Sequence, residues 1–104
     1  EPDLIFISKE NIGIVTENGI EGVPDLVIEI LSPSTAQYDR GKKMKLYCRT
    51  GVREYWIVDP RSQTLEVYSL QEGEFDLSSF ATESGAVESL VLAGFQIAVE
   101  DVFG

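Results

Sequence analysis

Apolar residues come along this chain in short unbroken runs rather than in long helical stripes. Leu4-Ile5-Phe6-Ile7 contains no polar residue, the pattern of a strand buried on both faces. Leu26 to Leu31 is a second such run, broken only by Glu29. Between them, residues 11–22 carry Gly13, Gly19 and Gly22 and predict a long hairpin connection, with a little strand structure at Ile12, Ile14 and Val15. Two apolar strands joined in this way predict an antiparallel pair. Ser32-Pro33-Ser34-Thr35 then signals a helix start, because Ser34 or Thr35 can accept the free N–H groups of a first turn. The helix is predicted from Ala36 to about Arg49, with Gly51 as its stop. Met44, Tyr47 and Cys48 share one of its faces, with Leu46 beside them. Lys42, Lys45 and Arg49 lie elsewhere on it, and cations near a helix C-terminus suit its dipole.

Beyond the helix the period changes to that of strands. Glu54 to Val58 predicts a third strand, followed by turn residues Asp59 to Gln63. Leu65 to Leu70 predicts a fourth, with Leu65, Val67 and Ser69 on one face. Glu72-Gly73-Glu74 turns again, and Phe75 to Ala81 predicts a fifth. Leu90 to Leu92 and Phe95 to Val99 read as short apolar strands around Gly94, and Glu100 to Gly104 closes the chain. No internal repeat or low-complexity tract is evident. The fold class is α+β: a mixed, mostly antiparallel sheet with one main helix.

Composition narrows the chemistry. With 104 residues, 43% of them hydrophobic, the chain suits one domain spanning residues 1–104. The net charge of −10 argues against a general nucleic-acid coat protein. A metal-using nuclease stays open, because a bound cation inverts the charge around clustered carboxylates. The chain has one cysteine, Cys48, and no histidine. That removes disulfide frameworks, Cys/His zinc sites and triads built on histidine. What is left is carboxylate, lysine, tyrosine and metal chemistry. No apolar run approaches the ~20 residues of a membrane span, and no signal peptide is visible, so a cytoplasmic location is expected.

Glu29 is the most informative residue. A carboxylate inside an apolar strand must be paired, protonated or metal-bound, because burying it alone costs several kcal/mol. A core salt bridge with a lysine or arginine would satisfy it as well as a metal. Asp3 and Asp25 are its candidate partners. Asp25 lies four residues away on the same strand, roughly 13 Å, and reads best as a strand-entry residue. Asp3 begins the first strand while Glu29 nears the end of the second, so an antiparallel pairing brings these two together. Such a carboxylate pair suits Mg²⁺. Asp39, Lys43 and Tyr47 follow at i, i+4, i+8 on one helix face. An ordinary surface pair between Asp39 and Lys43 explains that spacing equally well. Tyr55 and Trp56 read as packing residues, and Cys48 as a small buried hydrophobe.

Pro2-Asp3-Leu4, the block Pro24-Asp25-Leu26-Val27-Ile28-Glu29-Ile30-Leu31-Ser32-Pro33-Ser34, then Asp39, Lys43 and Tyr47, then Gly51 to Pro60, together resemble the bacterial Uma-two family of restriction-endonuclease-like proteins. That family belongs to the PD-(D/E)XK nuclease superfamily. The resemblance runs from Glu1 to the segment Leu92 to Phe95. It implies a restriction-endonuclease-like core and divalent-metal-dependent hydrolysis of nucleic-acid phosphodiester bonds, with DNA as substrate. It matches Asp3 and Glu29 to the acidic metal ligands, with the backbone carbonyl of Ile30 as third ligand to Mg²⁺ or Mn²⁺. The superfamily lysine normally stands two residues after the second acid, where this chain has Leu31. Lys43 on the following helix matches it instead, with Asp39 and Tyr47 in support. Family members are longer at the N-terminus, and a leading helix and strand are expected to be lacking here. The competing expectation is a catalytically inactive module of the same fold that binds a partner or DNA. A third is a homodimer built by sheet pairing.

Overall fold

The computed structural model describes residues 3–32 and 36–104, with the side chains of 36–39 left aside. Ser34 and Thr35, the expected helix caps, lie outside the described residues. In chain order the elements are β1 (Leu4–Phe6), a 3₁₀ segment (Lys9–Ile14), β2 (Val15–Thr16), β3 (Gly19–Ile20), β4 (Leu26–Ile30), α1 (Ala36–Thr50), β5 (Glu54–Asp59), β6 (Thr64–Gln71), β7 (Glu74–Thr82), β8 (Ala86–Glu88), β9 (Gln96–Ala98) and α2 (Val99–Phe103). Five strands form one sheet in the order β1-β4-β5-β6-β7. β4 and β5 run parallel, as a connection through a helix requires, and the other neighbours are antiparallel. This is the mixed, mostly antiparallel α+β arrangement that the runs predict.

Period-two alternation divides the apolar residues between two cores. Leu26, Trp56, Leu65 and Val67 face one side, where Val87 and Val99 of the C-terminal segment cover them. Val27, Tyr55 and Ile57 face the other, under Tyr47 of α1 and Val52. With both faces covered, β4 and β5 can be nearly continuous apolar runs. α1 ends where Gly51 adopts φ +92° and its N–H donates to the carbonyls of Tyr47 and Cys48. That left-handed position favours glycine.

Three expectations need correction. β1 is not buried on both faces: Leu4, Ile5 and Phe6 are all exposed, because β1 is a sheet edge that neither covering layer reaches. The connection after β1 is the long hairpin expected, with Val15 in the small β2–β3 ladder, but Ile12 and Ile14 lie in a 3₁₀ segment and not in a strand. At the C-terminal end, β9 pairs with Ala86–Glu88, a strand too short and polar to register as an apolar run. Leu90 to Leu92 is a turn, and Val99 begins α2 rather than ending a strand.

Candidate active site

β1 and β4 pair with Leu4 opposite Ile28, so the same register continued by one residue sets Asp3 opposite Glu29. Asp3 Oδ2 accepts the backbone N–H of Ile30 at 2.7 Å, which holds this exposed carboxylate against the end of β4. Glu29 is 4% exposed and points under α1. Its Oε1 lies 3.0 Å from the Lys43 amine, and its Oε2 accepts the Tyr47 hydroxyl at 2.7 Å. The helical spacing of Lys43 and Tyr47 therefore serves a grip on one carboxylate from above. The buried acid has the lysine partner that a core salt bridge requires. Lys43 keeps about a third of its side chain exposed (30%), so the charge pair opens to solvent on one side. The Asp39 side chain lies outside the described residues.

A second group of the same composition stands two strands away. Glu29 aligns with Ile57 across β4–β5, and Ile57 aligns with Glu66 across β5–β6. Glu66 pairs with Arg40 of α1 and accepts the Tyr68 hydroxyl at 2.6 Å. Each group thus joins a sheet carboxylate, a helix cation and a tyrosine hydroxyl. Between them lies Tyr55, fully buried, whose hydroxyl has no hydrogen-bond partner among the described residues. Its ring meets those of Tyr47 at 5.0 Å and Tyr68 at 6.4 Å. Sequence reasoning missed Arg40, Glu66 and Tyr68. The available signal was Arg40 standing three residues before Lys43 on the helix.

All three tyrosines are harder to ionise than a free phenol. Burial is the main cause at each. The Tyr47 hydroxyl also donates to Glu29, Tyr68 donates to Glu66, and Tyr55 feels the Glu29 charge. A raised folded-state value means that the folded chain keeps protons the unfolded chain releases. The resulting stability is complete below about pH 10, the ordinary tyrosine value, and is lost as pH rises through the folded values. Phenolate absorbance is therefore expected to rise together with loss of tertiary signal above about pH 10. Titration of all four tyrosines at the ordinary value in an intact fold would contradict this.

Two further carboxylates are buried for structural reasons. Asp25 stands at the far end of β4, away from Asp3, as its spacing predicts. Burial alone would raise its pKa. The Ser8 backbone N–H at 2.7 Å, side-chain bonds from Ser8 and Asn11 and the Arg53 guanidinium together lower it. Glu54 is fully buried and accepts four donors: Trp56 Nε1, Ser89 Oγ and the backbone N–H groups of Leu90 and Val91, at 2.7–3.0 Å. It ties β5 to the turn between β8 and β9. Tyr55 and Trp56 are core residues as expected. Cys48 is only half-buried, with Sγ 3.0 Å from the Gly73 carbonyl, so it is not the buried hydrophobe expected.

A cleft of about 490 Å³ opens beside Asp3 and Tyr47. Leu4, Ile5, Val23 and Leu46 form its largely apolar walls. Among the described residues no three Asp, Glu, Cys or His side chains group closely enough to hold a metal by themselves. Asp3 and Glu29 can offer two hard oxygen ligands from facing positions on adjacent strands. That donor set suits Mg²⁺, which binds through one or two carboxylates and keeps several waters. It does not suit an all-protein calcium cage.

Comparison with known proteins bears on what this arrangement belongs to. The family model of Uma2, described as "Putative restriction endonuclease", matches residues 1–100. The chain belongs to the Uma2 family. A crystal structure from Anabaena variabilis, of "a putative nuclease belonging to DUF820", is 28% identical with a TM-score of 0.73. The match covers 98% of this Uma2 chain and 58% of that one. An uncharacterized Synechocystis protein is 44% identical over 46 residues, which is 43% of this chain and 24% of that protein. The Uma2 chain thus spans little more than half of the solved neighbour and about a quarter of the curated relative. Among the described residues no helix is long and apolar enough to cross a membrane.

Proposed function

We propose that this Uma2 chain carries the active centre of a metal-dependent endonuclease that hydrolyses phosphodiester bonds in DNA, acting in the cytoplasm. The observation that carries this reading is that Glu29, paired with Lys43, and Asp3, held by the Ile30 N–H, both stand toward the same end of β4 in a family of nuclease type. Asp3, Glu29 and the Ile30 carbonyl would hold Mg²⁺ or Mn²⁺. When bound, such an ion supplies a polarised phosphoryl oxygen and a water of lowered pKa.

The chain's own groups do the rest. Tyr47 donates to Glu29 and fixes its rotamer, and the Ile30 N–H fixes Asp3. The Lys43 ammonium, part-exposed beside Glu29, offers positive charge where a phosphate oxyanion would gain charge in the transition state. Leu31 stands where the superfamily lysine is usual, so this role falls to α1. Asp39 is assigned a supporting role toward Lys43 by the family pattern.

The inactive-module reading is favoured by one observation: both Glu29 oxygens already have partners. Plasmid nicking with Mg²⁺ or Mn²⁺ decides between the two, together with thermal unfolding in the same metals. An active centre is expected to nick and to gain stability with metal, about 2.7 kcal/mol at a hundred times Kd. No nicking and no metal-dependent shift at millimolar Mn²⁺ would favour the module.

A further inference from the structure

The charge of this chain is divided very unevenly. Residues 32–53 hold six of its eight cations (Arg40, Lys42, Lys43, Lys45, Arg49 and Arg53) and one of its 18 acids, Asp39, a net charge of +5. The other 82 residues hold Lys9, Arg61 and 17 acids, a net charge of −15. Two of the six cations face inward, Lys43 to Glu29 and Arg40 to Glu66.

Lys42, Lys45 and Arg49 are exposed. At 3.6 residues per turn they fall within an arc of about 60°, opposite the buried Tyr47 face. They rise about 10 Å along the helix, at 1.5 Å per residue. No acid interrupts α1 from Arg40 to Thr50. The helix dipole accounts for a cation in the last turn, which is Arg49. It does not account for Lys45 in the middle of the helix. One DNA strand steps a phosphate about every 3.4 Å of axis while winding around it, so a straight stripe of this length can meet two or three phosphates. Elsewhere the acidic body repels such a polyanion, which leaves one face for it.

We propose that the outward face of α1, through Lys42, Lys45 and Arg49, is a ridge on which the phosphate backbone of a nucleic acid lies. The ridge lies on the far side of α1 from the Glu29 carboxylate, and Lys43, about 100° around the helix from Lys42, stands between the two. The inference rests on the nuclease reading for its choice of partner.

The test is binding of a labelled 30-base-pair duplex in EDTA, where nothing is cut, from 25 to 200 mM KCl. The triple variant Lys42→Gln/Lys45→Gln/Arg49→Gln is compared with Lys9→Gln/Arg61→Gln, each checked for an unchanged melting temperature. The triple variant should bind at least 10-fold more weakly at 50 mM salt. Its slope of log K against log salt should shrink by about 0.9 per lost contact, two to three units in all. The control pair should leave affinity and slope as they were. Should the triple variant unfold, Lys45→Gln and Arg49→Gln singly are each expected to remove about one unit of slope. An unchanged slope overturns the ridge, as does equal loss in the control pair. So does wild-type protein that leaves the duplex unbound at 25 mM KCl, or that loses this helix face to a second copy of itself in sedimentation. The two proposals fail separately. Ridge-dependent binding without nicking in any metal sinks hydrolysis and keeps the ridge. Nicking with a ridge-independent slope does the reverse.

Discussion

Replacing Glu54 with alanine is expected to cost the fold at least about 4 kcal/mol, from about 1 kcal/mol or more for each of four donors left without an acceptor. Those donors are Trp56 Nε1, Ser89 Oγ and the N–H groups of Leu90 and Val91. Glu54 is wholly buried, so bulk solvent does not reach these donors unless the turn moves away. A protein of this size has roughly 5–15 kcal/mol of stability in all. The melting temperature should fall by roughly 15–30 °C, at 4–8 °C per kcal/mol. Glu54→Gln should be milder, since its carbonyl oxygen still accepts while its NH₂ group faces other donors. Detachment of the turn should also uncover Trp56, which packs 6.1 Å from Phe95, and shift its fluorescence to the red. Thermal unfolding of Glu54→Ala within 1 kcal/mol of wild type would show that these four bonds carry little net weight.

The second large effect is on activity. Glu29→Gln and Lys43→Met should each lower nicking by on the order of 10²–10³-fold, the range found when one stabiliser of transition-state charge is removed. Stability should separate the two variants. Glu29→Gln keeps an acceptor for Tyr47 and loses only the charge pair. Lys43→Met leaves a buried Glu29 carboxylate that still accepts from the Tyr47 hydroxyl but has lost its cation, and should cost about 1–2 kcal/mol. That lies below the 3–5 kcal/mol of a fully buried pair, because Lys43 is part-exposed. Nicking that survives in both variants would sink the assignment of Glu29 and Lys43. Loss of nicking in parallel with loss of fold would leave them structural residues.

What the sequence makes legible follows from how local the physics is. Glu29 stands out because a carboxylate amid apolar neighbours is costly whatever surrounds it. Asp3 follows from the register of an antiparallel pair, which the run lengths nearly dictate. Lys43 is different: its spacing fits a surface pair with Asp39 as well as a reach inward, and only the family resemblance favoured the latter. Glu54 and Glu66 are illegible for a related reason. Acids alternating with apolar residues look like solvent positions in a half-buried strand. What covers them comes from far along the chain, Arg40 across 26 residues for Glu66 and Ser89 across 35 for Glu54. β1 misled in the opposite sense, since an unbroken apolar run does not reveal whether a layer reaches it.

That uncovered strand bears on how the protein behaves in the tube. Among the described residues β1 presents Leu4, Ile5 and Phe6 on an open sheet margin, a template onto which another chain can add a strand. Mutual repulsion between molecules of charge −10 opposes such addition. Salt screens that repulsion within about 10 Å at 0.1 M and leaves backbone pairing untouched. Concentrating this protein therefore sets colloidal repulsion against intermolecular β-pairing, and low ionic strength is the condition that keeps it dispersed.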